Sequence, residues 1–131
     1  WLPNLVDIVA VQEGLVRVDR SGQGIEFSLC SFADPTPCAT QVKLPQALSS
    51  GIVRIAHAGH GRVYAIDTTG GGARVVQCGS SAFAAGTCPW TVVRGGFASA
   101  DDVISVKSDE KYAYILGTVG SVTQLERVPL P

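Results

Sequence analysis

The feature that most constrains this chain is that it repeats itself. The segment "GLVRVDRSGQGIEFSLC", beginning at Gly14, is matched by "GRVYAIDTTGGGARVVQC", beginning at Gly61. Each reads as a glycine, an alternating apolar run closing on Asp, a turn of Ser or Thr with Gly, a second such run, and a cysteine. The step from Gly14 to Gly61 is 47 residues, from Cys30 to Cys78 it is 48, and from Cys38 to Cys88 it is 50. Three separate landmarks therefore agree on one period. A shorter copy without cysteines follows in "DVISVKSDEKYAYILGTVGSVTQLERVPLP". Leu-Pro dipeptides at Leu2, Leu44 and Leu130 punctuate the chain at the same phase, so units over residues 2–45, 46–96 and 97–131 are expected within a single domain.

Within each unit, apolar and polar residues alternate with a period of two and β-branched residues are frequent, bounded by Gly, Ser, Asp or Pro. This pattern predicts strands over 6–11, 15–19, 25–30 and 40–44, then 52–56, 62–67, 74–78 and 90–94. The third unit follows with 103–107, 112–116 and 122–128, the last holding one strand or two short ones. No segment carries a helical period, and only "PQALSS" suits a short turn of helix. Composition agrees: 16% charged residues is low against the usual figure of about 25%, and 15 glycines supply turns.

The expected fold class is therefore all-β, with about three four-stranded antiparallel repeats. In period and strand count the chain resembles secreted β-propeller repeat proteins, although it lacks the Trp-Asp signature of WD40 blades and the Gly-Gly and Trp spacing of kelch. The resemblance implies blades whose faces are covered only by neighbouring blades. Since closed propellers have about four to eight blades, three units imply pairing with a second copy or membership of a larger ring. The alternative architecture is a two-sheet β-sandwich, which also accommodates about eleven short strands.

In both full units the first cysteine ends the third strand and the second precedes the fourth. Four cysteines allow three pairings, and the repeat favours the local ones, Cys30 with Cys38 and Cys78 with Cys88, each stapling a hairpin across its loop. None of the four lies in a C-x-x-C pair, which argues against zinc. Disulfides point to an oxidising compartment, with the extracellular space or cell surface expected. The chain starts at Trp1 and contains no Met, as expected of a processed chain or a piece of a longer protein.

Ten Lys and Arg against eleven Asp and Glu leave a net charge of −1, scattered without a basic block, which excludes the electrostatic footprint of a nucleic-acid binder. No apolar run approaches the roughly 20 residues of a membrane-spanning helix. The only histidines, His57 and His60 in "AHAGHGR", read as exposed turn residues, since H-x-x-H on a strand turns its rings to opposite sides. No G-x-S-x-G elbow occurs, and the glycine clusters at Gly22 to Gly24 and Gly70 to Gly72 read as hairpin turns with positive φ. Carboxylates such as Asp19, Asp67, Asp101, Asp102, Asp109 and Glu110 recur at strand ends as turn caps. No cofactor, metal or catalytic set is expected. Phe32, Phe83, Trp90, Arg94 and Phe97 lie in or beside the disulfide loops and form the candidate contact surface, the alternative being that Trp90 and Phe97 pack between blades, while Tyr112 and Tyr114 share a face of one strand.

The expected function is an extracellular, non-enzymatic binding or structural module. Its partners would be other protein chains, including copies of itself, or glycans. The alternative is one chain of a secreted enzyme, with His57, His60 and Asp67 as local candidates and the remaining catalytic residues on a partner chain.

Overall fold

The computed structural model describes residues 5–11, 14–21, 24–30, 41–43, 51–85 and 87–130. Among these the alternating runs form β1 (Leu5–Val11), β2 (Gly14–Ser21), β3 (Gly24–Cys30) and β4 (Gln41–Lys43). They continue as β5 (Ile52–Gly59), β6 (Arg62–Asp67), β7 (Ala73–Gly79) and β8 (Thr91–Phe97), then β9 (Val103–Ser108), β10 (Tyr112–Val119) and β11 (Val122–Pro129). The final run is one strand. One helix, α1 (Ser80–Ala85), lies inside the second disulfide loop, where sequence patterning indicated only a loop. The anticipated helical turn at "PQALSS" lies outside the described residues.

The strands make three antiparallel sheets, each a simple meander contiguous in sequence. The first has the order β1-β2-β3-β4, the middle one β5-β6-β7-β8, and the last β11-β10-β9. β5 packs alongside β1 on one side and β9 on the other, so the sheets stack through their first strands in chain order. This differs from a two-sheet sandwich, because the middle sheet is covered on both faces.

Residue by residue, the coverage follows from the pleat, which points successive side chains to opposite faces. Val63, Ala65, Val76 and Cys78 of the middle sheet join Val16 and the half-buried Leu29 of the first sheet in one apolar cluster. The alternate residues Tyr64, Ile66, Ala73 and Val75 join Val103, Val106, Ala113 and Ile115 of the last sheet in the other. Five consecutive residues of β6, Val63 to Asp67, are buried as a result. The sheets are also tied by polar contacts. Arg54 donates to the carbonyl oxygens of Val103 and Ala100, and Arg94 forms a two-pronged ion pair with Glu126, at 2.8 and 3.0 Å.

The three sheets repeat one irregularity. In the first, Leu5 pairs with Asp19, the register shifts, and Asp7 and Ile8 pair with Val18 and Arg17. In the middle, Ile52 pairs with Asp67, the register shifts, and Arg54 and Ile55 pair with Ile66 and Ala65. In the last, Val103 pairs with Gly117, the register shifts, and Ser105 and Val106 pair with Leu116 and Ile115. A β-bulge bends its strand and sharpens the local twist, so the three first strands share this bend, and β5 adds a second register shift between Ile55 and His57. The bulge also fixes structural counterparts, putting Ile8, Ile55 and Val106 at one position and Val16, Tyr64 and Tyr114 at another.

The end of the stack away from the cysteines is closed by Asp67. Its carboxylate accepts hydrogen bonds from the Thr69 backbone and hydroxyl (3.0 and 2.7 Å) and from Arg74 (3.0 and 2.6 Å). Thr68 N–H donates to the Gly51 carbonyl at 2.7 Å, which pins the start of β5 to this turn. A Cβ at Gly51 would fall 1.8 Å from Thr69 Oγ1 and 2.2 Å from Asp67 Oδ1, so the close approach requires glycine there.

Candidate functional site at the loop end and outer face of the last sheet

The second disulfide is formed between Cys78 and Cys88, whose Cα atoms are 5.6 Å apart. Cys30 is also disulfide-bonded; Cys38, its expected partner, lies outside the described residues. Cys78 pairs in register with Val63, next to the β5–β6 turn, and Ser80 N–H donates to the Gly61 carbonyl at 2.8 Å. The loop and the turn are therefore joined at one end of the stack. His60 and Gly61 form the two-residue turn with φ of 54° and 75°, the pattern of a type I′ hairpin, which places a non-glycine residue in the left-handed region.

A cleft of about 420 Å³ opens at this same end, lined by His60, Asp109, Glu110, Lys111, Tyr112 and Tyr114. Its wall is held by Asp109, which begins the β9–β10 loop. Oδ1 of Asp109 accepts from the backbone N–H groups of Lys111 and Tyr112, both at 2.8 Å. Oδ2 accepts from the Tyr114 hydroxyl, also at 2.8 Å. The Lys111 backbone bond first, then the Tyr114 and Tyr112 bonds, hold the Asp109 carboxyl below its usual range, and the same contact pushes the Tyr114 hydroxyl up. The Tyr112 and Tyr114 rings lie 6.4 Å apart, and the Arg127 guanidinium sits over Tyr112 at 4.5 Å from its centroid. Both oxygens of Asp109 are thus occupied in holding the loop and the Tyr114 ring. The arrangement presents a fixed aromatic wall with Glu110, Lys111 and His60 on its rim.

The wall continues into the outer face of the last sheet. Tyr114 and Leu116 alternate with Ala113 and Ile115, which face the middle sheet. Leu116 pairs with Leu125, and Thr118 with Thr123, whose hydroxyl oxygens are 3.2 Å apart. Leu125 and Ile104 are exposed. The sheet therefore carries an apolar row beside an aromatic cleft, with nothing among the described residues packed over it.

The five residues anticipated as a contact surface are distributed differently. Phe83, on α1, is buried between the first and middle sheets with the half-buried Trp90 edge-on at 6.1 Å. Phe97 is buried between the middle and last sheets, with the Arg94 guanidinium 5.2 Å from its ring centroid. Phe32 lies outside the described residues. Nor are His57, His60 and Asp67 brought together: Asp67 ends β6 and His60 precedes its start, so they are separated by about 20 Å of strand. His57 is not an exposed turn residue, because β5 runs on to Gly59; it is half-buried, with its ring stacked on Tyr64 at 5.9 Å. Burial first, then the nearby Lys107 and His60, push its imidazole down. No helix among the described residues is long and apolar enough to cross a membrane.

Comparison with protein-family models, curated proteins and solved structures finds no match.

Proposed function

We propose that the chain is an extracellular, non-enzymatic binding or structural module of the β-propeller blade type, which works by joining its sheet faces to further sheets. One observation carries this reading: three meander sheets with the same bulge, stacked through their first strands, leave the aliphatic row of Ile104, Leu116 and Leu125 on the outer face of the last sheet uncovered by any described residue. A blade cannot bury its own faces, so an uncovered one is a surface for association. The disulfide supports an oxidising location. A protein partner is favoured over a glycan because the cleft runs into a row of aliphatic residues, Ile104, Leu116 and Leu125, which a sheet can cover. An enzymatic role is disfavoured because Asp67 and Asp109 are both held in turn networks, and His57 lies against Tyr64.

The test is the absolute mass of the oxidised chain in solution, by size exclusion with light scattering, from micromolar to submillimolar concentration. Reversible association is expected. A monomer throughout that range would contradict a self-associating module.

A further inference from the structure

The repeated bulge allows each residue on an end face to be compared with its counterparts inside the stack. On the back of the first sheet, Ile8 is 54% exposed, whereas its counterparts Ile55 and Val106 are 6% and 1% exposed against the preceding sheet. On the front of the last sheet, Leu125 pairs with Leu116, as Val75 pairs with Ile66 in the middle sheet. Leu125 is 69% exposed, but Val75 and Ile66 are fully buried against the next sheet. Tyr114 likewise stands where Tyr64 is fully buried, and Ile104, in the bulge, where Val53 packs into the core. The two ends are therefore the two halves of one kind of interface, a front and a back, that the chain forms twice internally.

We infer that the outer face of the last sheet, Ile104, Tyr114, Leu116 and Leu125, docks on the back of the first sheet of a second copy, around Ile8 and Ala10. This rests on the blade-type reading above and names its partner surface. Continuity with the internal interfaces selects this occupant: the back of the first sheet has the bulge and the exposed aliphatic residue at the positions where each internal interface meets a front, and among the described residues the front of the last sheet meets none. The contact is heterologous, front to back, so it either closes into a ring or grows. Two copies bring six sheets, within the range of about four to eight in closed rings. Docking also covers the Tyr114 side of the cleft.

The experiment uses two variants at exposed positions, Leu125→Asp on the front and Ile8→Asp on the back, each checked for unchanged circular dichroism. Because every contact joins one front to one back, either substitution alone is expected to weaken self-association more than about tenfold. An equimolar mixture regains one intact contact, the front of Ile8→Asp on the back of Leu125→Asp, and is expected to give a one-to-one dimer. If Leu125→Asp dissociates while Ile8→Asp remains associated, the faces pair front to front; the head-to-tail contact fails and the blade-type module stands. Failure of the mixture to associate overturns it equally. A wild-type chain that stays monomeric removes both.

Discussion

At the scale of single residues, His57 sits in an environment that disfavours its charged form. It sits on β5 against Tyr64, and neither His57 Nε2 nor the Tyr64 hydroxyl has a hydrogen-bond partner among the described residues. Lys107 and His60 add positive charge near it. The neutral imidazole is therefore favoured in the folded chain, whereas the unfolded chain takes up a proton near the ordinary value of about 6.5. The sign follows: below that pH the unfolded state binds more protons, so stability falls as pH drops through 6.5 towards the lower folded value, and is fully present above it. The urea midpoint is expected to be lower at about pH 5.5 than at about pH 7.5, and His57→Gln should remove most of that difference. An unchanged difference in the variant would assign the pH dependence elsewhere. This placement was not legible in the residues around it. The motif "AHAGHGR" reads as a turn at both histidines, and only the extension of β5 to Gly59 carries His57 into the sheet interface.

At the scale of elements, strands were legible because alternation is written in the residues themselves, and every described strand overlaps a run that alternation marks out. The bulges had a signal too. Leu5 and Ile8, Ile52 and Ile55, and Val103 and Val106 are spaced by three, which breaks a period of two at the same step in each unit. Helix α1 had none, since "SSAFAA" is six residues long and a helix that short has no periodic face. Such a helix does not persist alone. It is held by the Cys78–Cys88 bond on one side and by burial of Phe83 on the other. Closing a loop of this length contributes about 2–3 kcal/mol by chain entropy. Replacing both Cys78 and Cys88 with Ala is therefore expected to lower stability by about that amount. Amide exchange should rise across the α1 loop while β6 stays protected. Simultaneous loss of protection in β6 would mean that the disulfide holds the sheets and not only the loop. The burial of Phe83 was not legible, because a loop aromatic is exposed or buried according to which sheet lies over it, whereas packing of Phe97 between units was one of the two readings its position allowed.

At the scale of the whole molecule, a stack of sheets is close to one-dimensional: each layer is stabilised by its own hydrogen bonds and by the neighbours on its two faces. Among the described residues the middle sheet has two neighbours and the last sheet has one. β6 and β10 are the natural pair to compare, because each is hydrogen-bonded to a strand on both sides and they differ in how their faces are covered. β6 is buried on both faces, whereas β10 alternates between buried and half-buried residues. Opening of the last sheet exposes only one apolar interface, so in the monomeric chain β10 amides should exchange more than about tenfold faster than those of β6. Raising the concentration supplies the missing neighbour if the front of the last sheet meets the back of another first sheet. Protection of β10 should then climb towards that of β6, with β6 itself little changed. Leu125→Asp, which removes the docking row without touching the internal clusters, should keep β10 at its monomeric rate at every concentration. Equal protection of β6 and β10 in a demonstrated monomer would show that the stack opens as a single cooperative unit. The uncovered face would then carry no penalty that association could relieve.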